Sequence, residues 1–196
     1  HDVKMGDLCY LLLGAGNDLE LVSDGTNGEI ACANGNLTLD VSGAVIIDTG
    51  GDLITNTAGT DNVRIGENAG NSIAAAGGVA AGSNNVMIGK NAGTAVTTGT
   101  RNTLIGSLAG DAISSGIRNT TVGYFSGGSF TEGGYNVAVG DNALATDTEG
   151  SRAVAIGYGA LGTQDFATDT PNYNVAVGYS AGTGVTTGTL NTFIGG

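Results

Sequence analysis

The sequence predicts an all-β protein: an elongated parallel β-solenoid or β-roll with 17-residue repeats. Three observations support this. A glycine follows an isoleucine or valine at a regular interval, a second β-branched residue stands two positions before that isoleucine or valine, and the chain holds 37 glycines but no tryptophan. Glycine is costly to order because its unfolded backbone is so free. Its regular spacing therefore indicates a repeat in which each glycine has a set backbone position.

We call the glycine of each such pair the anchor. Eight pairs occur, and five of the seven intervals between anchors are 17 residues, while the other two are 23 and 21. The longer intervals predict insertions at residues 71–81 and 162–170 of a repeat region that spans residues 62–196. The pairs are Ile65 and Gly66, Ile88 and Gly89, Ile105 and Gly106, Val122 and Gly123, Val139 and Gly140, Ile156 and Gly157, Val177 and Gly178, and Ile194 and Gly195.

Each anchor is preceded by two fixed positions with a variable one between them. The fixed positions are β-branched in every repeat, whereas the variable one ranges from Arg64 through Leu104 to Ala138. This alternation is typical of a strand with one buried face. We therefore expect the fixed side chains to be buried and the variable side chain to be exposed.

Other positions of the repeat are also restricted. The third residue after the anchor is alanine or serine, which predicts an inward, closely packed position. The fourth residue before the anchor is asparagine except at Ala153, which predicts a ladder of stacked amides that bond to one another. The tenth residue after the anchor is glycine in most repeats, which predicts a turn with positive φ. If the insertions lie just before this turn, Gly82 and Pro171 occupy the same position.

The core predicted for a single coil is thin. Burial stabilises by roughly 25 cal/mol per Å² of apolar surface, whereas ordering the backbone costs about 1 to 2 kcal/mol per residue. A coil with two β-branched residues and one alanine buries little surface. We therefore expect three chains to share one core as an intertwined homotrimer.

The repeat resembles a known family. The pattern N-x-x-[IV]-G-x-x-[AS], as in NVAVGDNAL, AVAIGYGAL and NVAVGYSAG, is similar to the head repeats of YadA-type trimeric autotransporter adhesins and, more closely, to repeats of phage tail fibres, because the adhesin repeat is shorter than 17 residues. The resemblance implies a homotrimer, a virion or extracellular location, other fibre or virion proteins as partners, and attachment to a host surface. A bacterial trimeric adhesin stalk and a self-assembling extracellular filament remain alternatives.

The N-terminal segment, residues 1–61, lacks the anchor. It carries ten of the 18 acidic residues and one basic residue, a net charge of −9, which leaves −3 of the total −12 for the remainder. Alternation over residues 36–54 predicts short strands, so the segment is expected to be acidic and β-rich. Cys9 and Cys32 form a disulfide or remain two buried thiols.

Hard cations prefer several oxygen ligands. Asp40, Asp48 and Asp52 are accordingly either candidate Ca²⁺ ligands or solvated turn residues.

Composition excludes several functions. Six basic residues leave no positive stripe for nucleic acid. The apolar run at residues 8–15 is too short to cross a membrane. The chain has His1 as its single histidine and contains neither a G-x-S-x-G motif nor a phosphate-binding loop, so we expect no enzyme and no cofactor.

Candidates for receptor binding are aromatic and acidic. One group shares the position directly after the anchor, which also holds charged residues and is therefore expected to face water. The other group lies in or just after the second insertion, because insertions in solenoids often form binding loops. Exposed tyrosines stack on sugar rings of a host surface glycan, or they cover the outer seam of the trimer. The first group is Tyr124, Tyr158 and Tyr179; the second is Asp165, Phe166, Asp169 and Tyr173.

An ice-binding solenoid is a further alternative. It needs a flat array of threonines, and Thr97, Ser114, Thr131, Thr148 and Thr186 form one such column, although the neighbouring column is interrupted by Glu132 and Glu149.

Overall fold

The structure is a computed structural model that describes residues 61–73 and 82–196. These residues belong to one compact unit of the chain. The predictions for the acidic N-terminal segment, including those for Cys9 and Cys32, lie outside the described residues. The same is true of the candidate Ca²⁺ ligands and of most of the first insertion.

All regular elements in the described residues are short β-strands. Each strand of three residues consists of the two fixed positions and the variable position between them. The strands are β1 (Val63–Ile65), β2 (Val86–Ile88), β3 (Thr103–Ile105), β4 (Thr120–Val122), β5 (Val137–Val139), β6 (Gly150–Ser151), β7 (Val154–Ile156), β8 (Thr170–Pro171), β9 (Val175–Val177) and β10 (Thr192–Ile194).

Eight strands form one parallel sheet in the order β1-β2-β3-β4-β5-β7-β9-β10, and β6 pairs with β8 in a second one. Equivalent positions are in register, so that Ile88 pairs with Ile105 and Ile105 pairs with Val122. The second insertion is absorbed between β7 and β9, whose register is kept. The predicted all-β parallel solenoid with a 17-residue repeat is therefore confirmed.

The anchors allow the coils to stack closely. Gly123 has a φ of +132°, which side chains disfavour, and a Cβ added to it would lie 2.7 Å from the carbonyl carbon of Gly140 in the next coil. The same holds at Gly106, where the nearest atom is the Gly123 oxygen at 2.4 Å. Glycine is thus required at the anchor by both conformation and space.

The turn glycines differ from the prediction. Gly99 and Gly116 have φ values outside the left-handed range, so the predicted positive φ is wrong. They are glycines because a Cβ at Gly99 would lie 2.7 Å from the Gly116 oxygen. Pro171 is also displaced by one residue, because Thr170 pairs with Gly150 and Pro171 pairs with Ser151.

The two faces of the strands are the reverse of the prediction. Leu104, in the variable position, is fully buried, whereas Ile65 and Ile156 in a fixed position are 56% and 40% exposed. The coil closes on the side of the variable residue. The size of this side chain is therefore set by the space left inside each coil. Expecting the fixed side chains to be buried was therefore wrong.

One chain encloses its own core. The variable strand position contributes Met87 and Leu104, the seventh residue after the anchor contributes Ile113 and Phe130, and the small position contributes Ala109 and its equivalents. The inward placement of the small position is confirmed. The described residues thus form a core without walls from other chains, and the predicted homotrimer stays a prediction.

The asparagine ladder is buried as predicted, but its bonds differ. The Oδ1 atom of Asn102 accepts from the backbone N–H of Asn119 in the next coil at 2.9 Å. Its Nδ2 atom donates to the carbonyl of Gly116 at 2.9 Å. The ladder thus joins each coil to the next through side chain and backbone. Where Ala153 interrupts it, Asn172 Oδ1 accepts from the N–H of Asn174 at 3.0 Å.

Candidate functional site

The outer side of the large sheet is a continuous and largely apolar surface, which we call the sheet face. It consists of the sixteen β-branched side chains that flank the buried strand positions, and none of them is charged. Eight strands at about 4.8 Å per spacing make it about 34 Å long. Its residues are Val63, Ile65, Val86, Ile88, Thr103, Ile105, Thr120, Val122, Val137, Val139, Val154, Ile156, Val175, Val177, Thr192 and Ile194.

The sheet face is open to solvent in the single chain. All of its side chains are partly or largely exposed, from the half-buried Ile105 to Ile194, which is 82% exposed. Contiguous apolar surfaces of more than a few hundred Å² are rare on monomeric soluble proteins and mark interaction sites. Because its strands are evenly spaced, the sheet face can pack against a second surface that has the same spacing.

The tyrosines that follow the anchors face water, as predicted. Tyr124, Tyr158 and Tyr179 are 51%, 50% and 67% exposed. Tyr158 and Tyr179 stack on each other with ring centroids 5.2 Å apart and planes at 10°. Asp141 separates Tyr124 from this pair and accepts from the Tyr124 backbone N–H at 3.1 Å. Their predicted role in receptor binding stays a prediction.

The candidates around the second insertion do not form one cluster. Phe166 is 7% exposed, which removes its ring from the surface and corrects its choice as a receptor contact. Asp165 accepts from the hydroxyl of Thr148 at 2.9 Å, and Asp169 accepts from the hydroxyl of Ser151 at 2.5 Å.

Tyr173 belongs to a row of arginines and tyrosines that was not predicted from the sequence. The row occupies the fifth position before the anchor, where every residue has φ between +56° and +65° except Tyr173 at +53°. Bulky residues are uncommon at such φ values. We call it the arginine–tyrosine row, and its members are Arg101, Arg118, Tyr135, Arg152 and Tyr173.

The row is held by contacts between the guanidinium groups and the rings. Arg118 and Arg152 lie over the Tyr135 ring, with their Cζ atoms 5.1 and 5.2 Å from its centroid. Arg152 also lies 5.9 Å from the centroid of Tyr173, and Arg118 donates a hydrogen bond to the Tyr135 hydroxyl. Listing the fifth residue before each anchor would have shown the row in the sequence.

An open groove of about 250 Å³ runs beside the row. We call it the Gly134 groove, because Gly134 occupies the position held by Ile117 in the coil before and by Ser151 in the coil after. Tyr135 and Arg152 of the row line it, together with two carboxylates that sequence reasoning did not connect with this site, Glu132 and Asp169.

A polar network interrupts the core in the coil that follows Phe130. Asp147, fully buried, takes the position held by Phe130 in the preceding coil. Its carboxylate accepts from Gln164 Nε2 at 2.6 Å and from the backbone N–H groups of Gly150 and Phe166 at 3.0 and 3.1 Å. Burial raises the pKa of the Asp147 carboxyl, although these hydrogen bonds oppose the rise. The network ties the start of the second insertion to the preceding turn.

The threonine column is not a free hydroxyl array. Thr97 Oγ1 donates to the carbonyl of Ser114 at 3.1 Å, and Ser114 and Thr131 repeat this contact with the next coil. These hydroxyls therefore help to stack the coils.

The described part of the chain contains no cluster of three or more histidine, cysteine, aspartate or glutamate residues placed to hold a metal ion. Among the same residues no helix is long and apolar enough to cross a membrane.

Comparison with protein-family models, with curated proteins and with solved structures finds no match to the chain.

Proposed function

We propose that the chain is a structural subunit of an elongated homotrimeric fibre, as in a phage tail fibre, that carries a host-attachment surface outside the cell. It acts by binding and assembly and is not an enzyme. Its partners are two further copies of itself and other fibre or virion proteins. A bacterial adhesin stalk and a self-assembling extracellular filament use the same architecture and differ in the parts attached to it.

The sheet face is the observation that supports this proposal. It is largely apolar, uncharged and in register over eight strands, while the chain as a whole has a net charge of −12. An apolar strip of this length on such an acidic chain is best covered by an identical strip. Three copies agree with the resemblance of the repeats to trimeric β-roll stalks.

The asparagine ladder and the anchors suit the mechanical role. Each coil is joined to the next by backbone and side-chain hydrogen bonds, and each anchor is in contact with the next anchor. Because every coil contacts only its neighbours, the solenoid extends by repetition and makes a shaft.

The experiment measures mass in solution by light scattering for the wild type and two variants. A trimer of the 19.1 kDa chain has a mass of about 57 kDa, since 3 × 19.1 = 57.3. Ile105→Lys places a charge on the sheet face, so we expect it to yield a folded monomer. Thr98→Lys adds the same charge at an exposed position outside the sheet face and is expected to remain trimeric.

A wild-type protein that is a monomer at all concentrations contradicts the proposal. So does a trimer that Ile105→Lys leaves intact, because the sheet face then lies outside the interface. Circular dichroism of both variants shows whether the β-structure is retained.

A further inference from the structure

We propose that the Gly134 groove and the arginine–tyrosine row beside it bind a sugar ring of a neutral glycan. This rests on the proposed attachment role for its biological setting. The groove lies outside the sheet face, so glycan binding and self-association are measured separately.

Gly134 forms part of the groove wall. Gly134 lies between the equivalent residues Ile117 and Ser151, and a Cβ added to it would lie 3.0 Å from the backbone oxygen of Ile117. The groove volume of about 250 Å³ is slightly below the 300 to 1,000 Å³ of sites for drug-sized ligands. A groove of this size suits one pyranose ring, with the rest of the glycan in solvent.

The row supplies hydrogen-bond donors that are already ordered. Arg118 and Arg152 both lie close to the Tyr135 ring, so this ring helps to fix their guanidinium groups. Within residues 61–73 and 82–196 the only ion pair is between Lys90 and Glu67, at 3.0 Å. The guanidinium groups of the row are thus left without a carboxylate partner, and less side-chain entropy is lost when they bind a ligand.

Glu132 and Asp169 supply the acceptors. Asp169 is oriented by the hydroxyl of Ser151, whereas Glu132 is exposed beside the groove. A small ligand in this groove has to accept hydrogen bonds from the Arg152 guanidinium group and donate them to the two carboxylates. Vicinal hydroxyl groups of a sugar do both, since each hydroxyl is a donor and an acceptor.

The same two carboxylates select against anionic ligands. An acidic glycan meets the negative charge of Glu132 and Asp169, and the chain as a whole carries −12. Neutral glycans are therefore favoured over polymers that carry a uronate, sulfate or phosphate on each unit.

The experiment begins with the wild-type full chain on an array of neutral hexose, N-acetylhexosamine and uronate oligosaccharides. We expect binding to one class of neutral oligosaccharide, which is then titrated in solution by calorimetry. Glu132→Gln removes a charged acceptor and is expected to weaken binding about tenfold or more, as is typical when a charge-assisted hydrogen bond is lost. Glu149→Gln is the matched control, because Glu149 holds the equivalent position one coil later and does not line the groove.

Arg152→Lys keeps the charge but loses the planar fork and its contacts with the rings, so it is also expected to weaken binding. The proposal is overturned if no neutral glycan binds, or if Glu132→Gln strengthens binding of uronate oligosaccharides while neutral ones fail. It is also overturned if Tyr158→Ala abolishes binding and Glu132→Gln does not, since the site is then the tyrosine column. If a variant loses the trimer but still binds the glycan, the result concerns only the proposed shaft and leaves the glycan site unaffected.

Discussion

Leu104 and Gly110 share one space in the core. A Cβ added to Gly110 would lie 2.9 Å from Leu104 Cδ2 and 2.8 Å from Ile113 Cδ1. Two coils later the sizes are exchanged, because Ala138 holds the position of Leu104 and Leu144 holds the position of Gly110. Both are fully buried, and Leu144 accepts a φ of +49°. The interior of a coil therefore requires a total volume rather than a particular residue at either position.

This relationship predicts rescue of one core substitution by another. Leu104→Ala leaves a cavity and is expected to cost about 2 to 5 kcal/mol, and Gly110→Leu overpacks the coil at a cost of about 1 to 3 kcal/mol. The double variant copies the arrangement of Ala138 and Leu144. We expect its free energy of unfolding in urea to exceed the additive value by about 1 kcal/mol or more.

A distant pair supplies the comparison. Leu104→Ala combined with Tyr179→Ala joins two sites on different coils without a common neighbour and is expected to be additive. If the Leu104 and Gly110 substitutions were additive as well, the two positions would not share a space.

Sequence reasoning found the repeat, the strands and their register because these depend on residues that recur. The anchor at Gly123 and the buried Asn119 have one requirement in every coil, so their spacing shows in the sequence. The inward face was missed for the opposite reason. Leu104 and Ala138 satisfy the same volume with different partners, so the buried position looks free, whereas Ile105 on the outer face looks constrained.

The candidate site was predicted only in part. The exposed tyrosines could be placed because charged residues share their position, as Asp141 shows. The Gly134 groove could not, since it depends on a glycine between two larger residues and on carboxylates from different coils, Glu132 and Asp169. Which of these side chains meet depends on distances between coils, and a periodic sequence pattern does not encode those distances.

The anchors predict a strong effect of adding one methyl group. Gly123→Ala places a side chain at φ +132° and 2.7 Å from the Gly140 backbone, which cannot move without shifting the next coil. Backbone strain of this kind costs about 1 to 3 kcal/mol before the clash is counted. We expect a loss of at least about 3 kcal/mol in urea unfolding or no folded protein. Gly184→Ala, where nothing lies within 4 Å, is expected to change stability by less than about 1 kcal/mol.

The asparagine ladder predicts a loss of stability that comes mainly from hydrogen bonds. Asn119 Nδ2 donates to Gly133 O at 2.8 Å, and Asn119 Oδ1 accepts from the Asn136 N–H at 3.0 Å. Asn119→Ala deprives two buried backbone groups of these partners, at about 1 to 3 kcal/mol each. Thermal and urea unfolding measure the loss. The exposed Asn71→Ala serves as the comparison, and a cost at Asn119 no larger than at Asn71 would show that water replaces the ladder.

The buried Asp147 predicts a pH dependence with a definite sign. Burial raises the folded-state pKa of its carboxyl above the value of 3.8 expected in the unfolded chain. Between these two values the folded state binds more protons than the unfolded state. The contribution of Asp147 to stability is therefore greatest below the unfolded pKa and falls as pH rises through the folded pKa.

Asp147→Asn separates this contribution from those of other groups. The variant loses an acceptor for Gln164, so we expect it to be less stable than the wild type at low pH, and the difference to shrink as pH rises because only the wild type then buries a charge. Asp111, whose pKa is also raised by burial, is present in both proteins and cancels in the difference. Urea unfolding at steps between about pH 3 and pH 7 measures the difference in stability between the wild type and the variant. A difference that grows with pH would mean that the hydrogen bonds to the carboxylate outweigh its burial.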